Sequence, residues 1–294
     1  MRYAYFPGCS AKGSCRELDL STTAVAKLYD IELVELTGAG CTGAREFRAI
    51  SEQLHLVANA NILARAEAAG ADLVVVCDTC LLNLTEVNDR LKQDAAARER
   101  VNAELRTTGV EYRGTIDVTH FLWVLMEQVG EDRLRRSVVQ PLGGLRIAPF
   151  YGCHALRPAS AHDAGKRRDE ALERLCEIVG AVPVPYAGSQ KCCGFHVALT
   201  ETPTALRMTG GHLAEAKAEG ADCMVTPCPL CHTMLDAFQP DAAKAAGADF
   251  GLPTLHVAQL IGLAAGLSPK ALGLSRHVMG TKGVIAAAAR GAAV

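Results

Sequence analysis

KCCGFH, residues 191 to 196, places two adjacent cysteines, Cys192 and Cys193, before Gly194. Neighbouring side chains on an extended chain point in opposite directions. Such a pair is poorly placed to bond with itself and well placed to offer two thiolates from one bend. The other cysteines are Cys9, Cys15, Cys41, Cys77, Cys80, Cys153, Cys176, Cys223, Cys228 and Cys231, which makes twelve in all. They recur in step. RYAYFPGC (2–9) is echoed by RIAPFYGC (146–153), GAGCTG (38–43) by SQKCCG (189–194), and DLVVVCDTCLLNL (72–84) by DCMVTPCPLCHTML (222–235). IDVTHFLWVL (116–125) is likewise echoed by LPTLHVAQLI (252–261). Cys41 to Cys77 spans 36 residues, and so does Cys192 to Cys228. The first interval differs, 32 residues from Cys9 to Cys41 against 39 from Cys153 to Cys192, a difference that a surface loop absorbs. A repeat this long is a duplicated domain and not a solenoid unit.

The elements that must position these thiols are legible around them. DLVVVC (72–77), RIAPFY (146–151) and DCMVTP (222–227) are apolar runs of buried-strand type, each leading into cysteines. Between them, 51–70, 168–180 and 204–220 carry helical patterns. Alternating strands and helices predict an α/β fold with two pseudo-symmetric halves and parallel-rich sheets. In open α/β sheets, ligands sit beyond the carboxyl ends of the strands, where this sequence puts its cysteines. The expected organisation is a first repeat over 1–143, a second over 144–275 and a tail over 276–294. The turn-rich stretch from Pro141 to Gly144 links the halves. The charged run 89–109 is expected to be an exposed helix or one joining the halves. Residues 166–175 are expected to open a helix with a solvated face.

Composition sets the outer bounds. The chain has 294 residues, 49% hydrophobic and 21% charged, which is globular usage. A net charge of −2 and 5% aromatics give no footprint for nucleic acid. The N-terminus has no secretory h-region. The apolar stretch 257–267 falls short of the about 20 residues that cross a bilayer. These features predict a cytoplasmic protein without a transmembrane segment, held at a membrane, if at all, through partners. In a reducing compartment, clustered cysteines read as metal-binding or catalytic rather than as a disulfide framework.

The second half offers Cys153, Cys192, Cys193, Cys228 and Cys231. Five thiolates exceed the four that tetrahedral zinc or an ordinary cubane cluster takes. Soft ligands and this count favour an unusual iron–sulfur centre. The pattern C-x38-CCG-x33-C-x2-C, with PFYGCH upstream, resembles the CCG domain in the B-type subunit of heterodisulfide reductases, including that of sulfur-oxidising heterodisulfide-reductase-like systems. It also resembles the thiol-rich subunit of type E succinate:quinone reductases. The resemblance covers about residues 1 to 267. It implies that these five cysteines bind a non-cubane [4Fe-4S] cluster, with the adjacent thiolates on different irons. The first half departs from the pattern: Thr42 stands where Cys193 is expected, leaving Cys9, Cys41, Cys77 and Cys80. Four thiolates suit a [4Fe-4S] or [2Fe-2S] cluster or structural zinc. Iron–sulfur is preferred because electrons need a path. Cys15 is a candidate fifth or substitute ligand there.

His154, His196 and His232 each lie within three residues of a candidate ligand. They are candidates for proton delivery at the cluster, against a reading in which they orient ligands by hydrogen bonds. His120 and His256 read as packed core histidines, and Cys176 and Cys223 as buried thiols acting as small hydrophobes. Arg157 is a candidate anion contact, against a structural ion pair. A thioredoxin-like dithiol suits a single CxxC but not two, each tied to distant cysteines. The resemblance implies an oxidoreductase subunit handling disulfide and thiol redox chemistry in sulfur metabolism. Its partners would be chains similar to the A-type flavoprotein subunit and the C-type iron–sulfur subunit of those reductases, and its substrate a thiol, a disulfide or a sulfur carrier. With no GxGxxG after a strand, the flavin belongs to another chain. The alternatives are the quinone-reductase subunit, for which the apolar tail 281–294 is a candidate membrane contact, and a non-enzymatic zinc scaffold.

Overall fold

The computed structural model describes residues 1–158 and 166–291; the last three residues of the expected tail lie outside it. Eight short strands form two sheets. In the first, β1 (Arg2–Phe6), β2 (Glu32–Glu35), β3 (Leu73–Val75) and β4 (Val118–His120) run in the order β2-β1-β3-β4. In the second, β5 (Arg146–Pro149), β6 (Val182–Pro183), β7 (Cys223–Thr226) and β8 (Thr254–His256) run in the order β6-β5-β7-β8. Every pairing is parallel. The expected duplication of a parallel α/β unit is therefore what the chain forms. β3 and β7 are apolar on both faces and fully buried, as central parallel strands must be.

The helices that flank the sheets and their loops include α1 (Arg16–Leu28), α2 (Glu46–Ile50), α3 (Glu52–Ala68), α4 (Asp78–Gln93), α5 (Ala95–Leu105), α6 (Ala171–Ile178), α7 (Phe195–Ala198), α8 (Thr202–Ala218), α9 (Pro229–His232), α10 (Val257–Ala264) and α11 (Lys282–Gly291). Ser51 caps α3 by accepting from Leu54 N, and Asp94 caps α5 by accepting from Ala97 N; each cap satisfies an amide that helix geometry leaves free. In both sheets the strand order reverses at the central pair, β1/β3 and β5/β7. Loops leaving such strands diverge to opposite faces and open a crevice at the carboxyl edge. Cys9 and Cys77 follow β1 and β3, and Cys153 and Cys228 follow β5 and β7.

Three expectations need correction. Residues 89–109 do not join the halves: they are the end of α4, then α5 and a final turn, with Ala97, Val101 and Leu105 buried. Their charges hide an amphipathic face. Residues 166–175 are not simply a solvated face: Arg168 binds Glu127 at 3.0 Å, and Arg174 pairs with Glu131. Among the described residues the tail offers no free apolar face, because Val284, Ala287 and Ala288 of α11 are buried and the helix packs on α10. The halves meet where α1 packs on α10.

Candidate metal centre

The second half gathers its five cysteines from three loops. After β5 the chain turns through Gly152 at φ +68°, a conformation that glycine adopts at little cost. A Cβ there would lie 2.8 Å from Cys231 Sγ, so Cys153 reaches the site only past a residue without a side chain. Cys228 ends the turn after β7 and caps α9, and Cys231 sits inside that helix. Cys192 and Cys193 come from the loop before α7. The thiols form a chain of contacts, Cys153 to Cys192, Cys192 to Cys193, Cys193 to Cys231 and Cys231 to Cys228. Cys193, Cys228 and Cys231 are buried, and Cys153 and Cys192 half-buried.

The first half repeats the plan with one ligand fewer. Cys9 Sγ lies 3.7 Å from Cys41 Sγ, and Cys77 touches Cys80. Thr42 Oγ1 lies 3.4 Å from Cys80 Sγ, the place that the Cys193 thiol takes against Cys231. The amide of Gly43 donates to Cys41 Sγ at 3.3 Å, as Gly194 N does to Cys192 Sγ at 3.4 Å. Cys77 also touches Cys228 across the halves, so the sulfurs of the two sets run together.

Thiols packed this closely share protons. The hydrogen bond from Cys41 holds Cys9 down, to about 6. Hydrogen bonds from Cys153 and then Cys193 hold Cys192 down, to about 2. For Cys228 burial opposes ionisation, but hydrogen bonds from Cys231 and Cys77 leave it well below the ordinary thiol range. Cys77 stands at the N-terminus of α4, but its hydrogen bonds with Cys228 and then Cys80, together with burial, push its own thiol well up. A set of four and a set of five thiols packed this closely is a donor set that soft metals or iron–sulfur clusters fit. The first set lines a solvent-open cleft of about 110 Å³, which Phe195, Pro229 and Leu230 close on the second-half side.

The histidines divide. His154 and His196 flank the second set with their rings 5.5 Å apart. Both reach into the first half: His154 Nδ1 lies 3.0 Å from Thr79 Oγ1, and His196 Nδ1 3.3 Å from Glu46 Oε1. Burial holds His154 below the ordinary imidazole range. His232 turns away from the thiols into a junction between the halves, with Cys15, Glu17 and His256. There His256 Nε2 lies 3.4 Å from Glu17 Oε1, and the His232 and His256 rings stack at 4.0 Å and 25°. Imidazole lone pairs lie in the ring plane, so rings stacked this way do not aim at one ion; the junction is held by hydrogen bonds. Cys15 faces Thr233 Oγ1 at 3.5 Å and Pro229 O at 3.8 Å, and it does not line the first-half cleft. Cys176, Cys223, His120 and His256 are buried, as expected. Arg157 is exposed.

Asp78 and Thr79 line the second-half site from the first half and were not singled out in the sequence. Asp78 is buried, 3.6 Å from His120 Nε2, and its second carboxylate oxygen has no partner among the described residues. Burial, then the neighbouring Cys228 and Cys80 thiols, push its carboxyl well up. The signal was present in CDTC, but the second repeat has proline at that place.

A duplicated parallel α/β unit with a thiol cluster at each crevice defines a class of thiol-rich proteins. The chain belongs to the cysteine-rich CCG domain family, whose model matches residues 3–85 and 147–236. It is 39% identical to the 8-methylmenaquinol:fumarate reductase membrane anchor subunit of Wolinella succinogenes, over 94% of this chain and 96% of that one. It is 30% identical to the B-type subunit of a CoB-CoM heterodisulfide reductase of Methanosarcina acetivorans, over 95% and 94%. It is 28% identical to a protein of Archaeoglobus profundus named for its likeness to that heterodisulfide reductase subunit, over 92% of each. Among solved structures it resembles a hypothetical protein from Helicobacter pylori, with a TM-score of 0.76 at 17% identity over 95% of this chain. The chain spans 52% of that structure, and the likeness shows the fold alone.

Proposed function

We propose that the chain is an iron–sulfur electron-transfer subunit of the heterodisulfide reductase B type, working in a larger oxidoreductase. The observation that supports this is the meeting of Cys153, Cys192, Cys193, Cys228 and Cys231 at one crevice, against the cleft between the halves. On this reading the five hold a non-cubane [4Fe-4S] cluster. Cys9, Cys41, Cys77 and Cys80 hold a second cluster, [4Fe-4S] or [2Fe-2S], with zinc as the alternative. A cluster bound by the five supplies one-electron steps and iron open to an external sulfur. The chain's own residues do the rest. Phe195 and Leu230 keep the crevice apolar. His154 and His196 stand where a proton is needed as a disulfide is split or two thiols are joined. His232 is turned into the junction with Glu17 and His256, away from the crevice where substrate would sit. Electrons pass between these centres and flavoprotein-like and iron–sulfur partner chains. No described helix is long and apolar enough to cross a membrane.

A second reading has its own support. The relative of 39% identity is named as the membrane anchor of a quinol:fumarate reductase. On that reading the same centres exchange electrons with a quinone, and partners or a surface contact provide the membrane attachment.

Iron, sulfide and zinc content of anaerobic protein, with electron paramagnetic resonance, tests the centre. Cys193→Ala is expected to abolish the second-half signal and leave the first-half metal. Full iron and an unchanged spectrum in that variant would refute the five-ligand set, and a colourless zinc protein without sulfide would leave only a scaffold. Thiol or disulfide turnover by the assembled complex, set against quinol oxidation, separates the two readings.

A further inference from the structure

The two cysteines of the CCG loop are neighbours in the chain, yet both thiols face one crevice. That requires the peptide planes around them to be fixed. The fixing comes from α8, which lies behind the loop. Thr209 Oγ1 lies 2.9 Å from Cys193 O, and His212 Nε2 lies 2.9 Å from Cys192 O. A carbonyl only accepts, so His212 Nε2 carries the proton and donates. Thr209 also lies 3.1 Å from Ala205 O, but that carbonyl is on the helix ladder, whereas Cys193 O has no ladder partner. Ala205, Thr209 and His212 form one stripe of α8. The loop lies flat on it: a Cβ on Gly194 would come within 2.9 Å of Ala205 O. The His212 ring is wedged between Phe150, 5.3 Å away, and Gly188, where a Cβ would lie 2.5 Å from Nδ1. Thr209 and His212 are both buried.

The first half has only half of this clasp. Asn59 Nδ2 of α3 donates to Thr42 O at 3.1 Å, matching the bond from Thr209 to Cys193 O. Among the described residues no side chain donates to Cys41 O. The half with two adjacent cysteines has two clasps, and the half with one has one.

We infer that His212, together with Thr209, is a positioning residue of the second-half centre, holding the Cys192 and Cys193 carbonyls against α8 so that both thiols bind. The inference rests on the reading that these thiols hold a metal centre. Neither side chain touches metal or substrate. Side chains of this outer kind change metal affinity by about 10- to 100-fold when removed.

The test compares the full-length parent with His212→Leu and Thr209→Val, which remove the donors, and with His212→Gln and Thr209→Ser, which keep one. Iron release to a chelator from the anaerobic protein is one readout. Cobalt(II) affinity of the iron-free chain, read from the thiolate-to-cobalt band in a Cys41→Ser, Cys80→Ser background, is the other. The expected result is iron lost and cobalt affinity weakened about tenfold or more in the two removing variants, with the two retaining variants within about threefold of the parent. If His212→Leu does not fold, the near-isosteric Thr209→Val carries the comparison. Parent-like release and affinity in a folded Thr209→Val and a folded His212→Leu overturn the inference. A parent without iron and sulfide, but with a cobalt affinity that falls in these variants, overturns the iron–sulfur reading and leaves the clasp standing.

Discussion

The difference between the two centres comes down to Thr42. Its hydroxyl meets Cys80 Sγ as the Cys193 thiol meets Cys231. A threonine hydroxyl keeps its proton at any ordinary pH, so beside the Cys80 sulfur it makes a hydrogen bond and does not replace a thiolate ligand. Asn59 already holds the carbonyl of this residue, so the backbone is set for a fifth ligand that the side chain does not supply. Thr42→Cys is expected to raise the iron bound per chain and to give the first half a spectrum like that of the second. Unchanged iron and sulfide after anaerobic reconstitution would show that the single clasp, and not ligand count, limits this site. The cysteines were legible because type, spacing and repetition all agree for them. Asp78 was not, because its place in the second repeat is Pro229 and its importance lies in its burial between the two thiol sets. Burial of a loop residue depends on how the halves pack, which no local pattern reports.

At the scale of elements, the central strands and the helices α3 and α8 were legible because each buries a periodic or continuous apolar face, whereas α1, most of α4 and the short strands β2 and β6 were not read. α3 (Glu52–Ala68) lies within the helical stretch expected at 51–70, and α8 (Thr202–Ala218) overlaps most of the one expected at 204–220 but begins before it. What charge patterning misled was the fate of polar runs. Val101 and Leu105 bury one side of α5 under a mostly charged sequence, and Arg168 spends its charge on Glu127. That ion pair joins the end of the first half to the segment before α6. Burial opposes the charge on Glu127, but the hydrogen bond from Arg168 outweighs it and holds the carboxyl below its usual range. A depressed carboxyl stabilises the fold above its unfolded value of about 4.3 and loses that contribution as pH falls through the folded value. Glu127→Gln is expected to lower stability by about 1.5–3 kcal/mol at neutral pH. The gap from the parent should narrow below about pH 4, measured by thermal or denaturant unfolding. Gly194 makes a sharper demand. It sits at φ +101° with Ala205 against it, so Gly194→Ala combines about 1–3 kcal/mol of backbone strain with a clash against the α8 backbone. A lower melting temperature and loss of second-half iron, with first-half metal kept, are the expected outcome.

For the whole molecule, the decisive feature is how the duplicated units face each other. α1 on α10 and the Glu17–His256 junction set that arrangement. It brings Cys77 of one set into contact with Cys228 of the other. The repeat revealed two units, but the sequence did not show that their crevices open onto each other, because the residues that orient them are not cysteines and His256 looks no different in the repeat from its counterpart His120. The contact has a magnetic consequence if both sets hold iron–sulfur clusters. Unpaired spins on clusters whose ligand sulfurs touch interact strongly enough to split or broaden each other's resonances. Protein reduced or oxidised until both centres are paramagnetic should therefore give a spectrum that is not the sum of two isolated signals. Cys41→Ser, which removes a first-half ligand far from Cys228, should collapse it to a narrow second-half signal. Zinc in the first half gives a different pattern: one zinc per chain, a narrow signal in the parent, and no change on Cys41→Ser. Two full clusters by iron and sulfide content with strictly additive spectra would mean that the contact between Cys77 and Cys228 does not couple the centres, and electrons would then have to cross between them by another route.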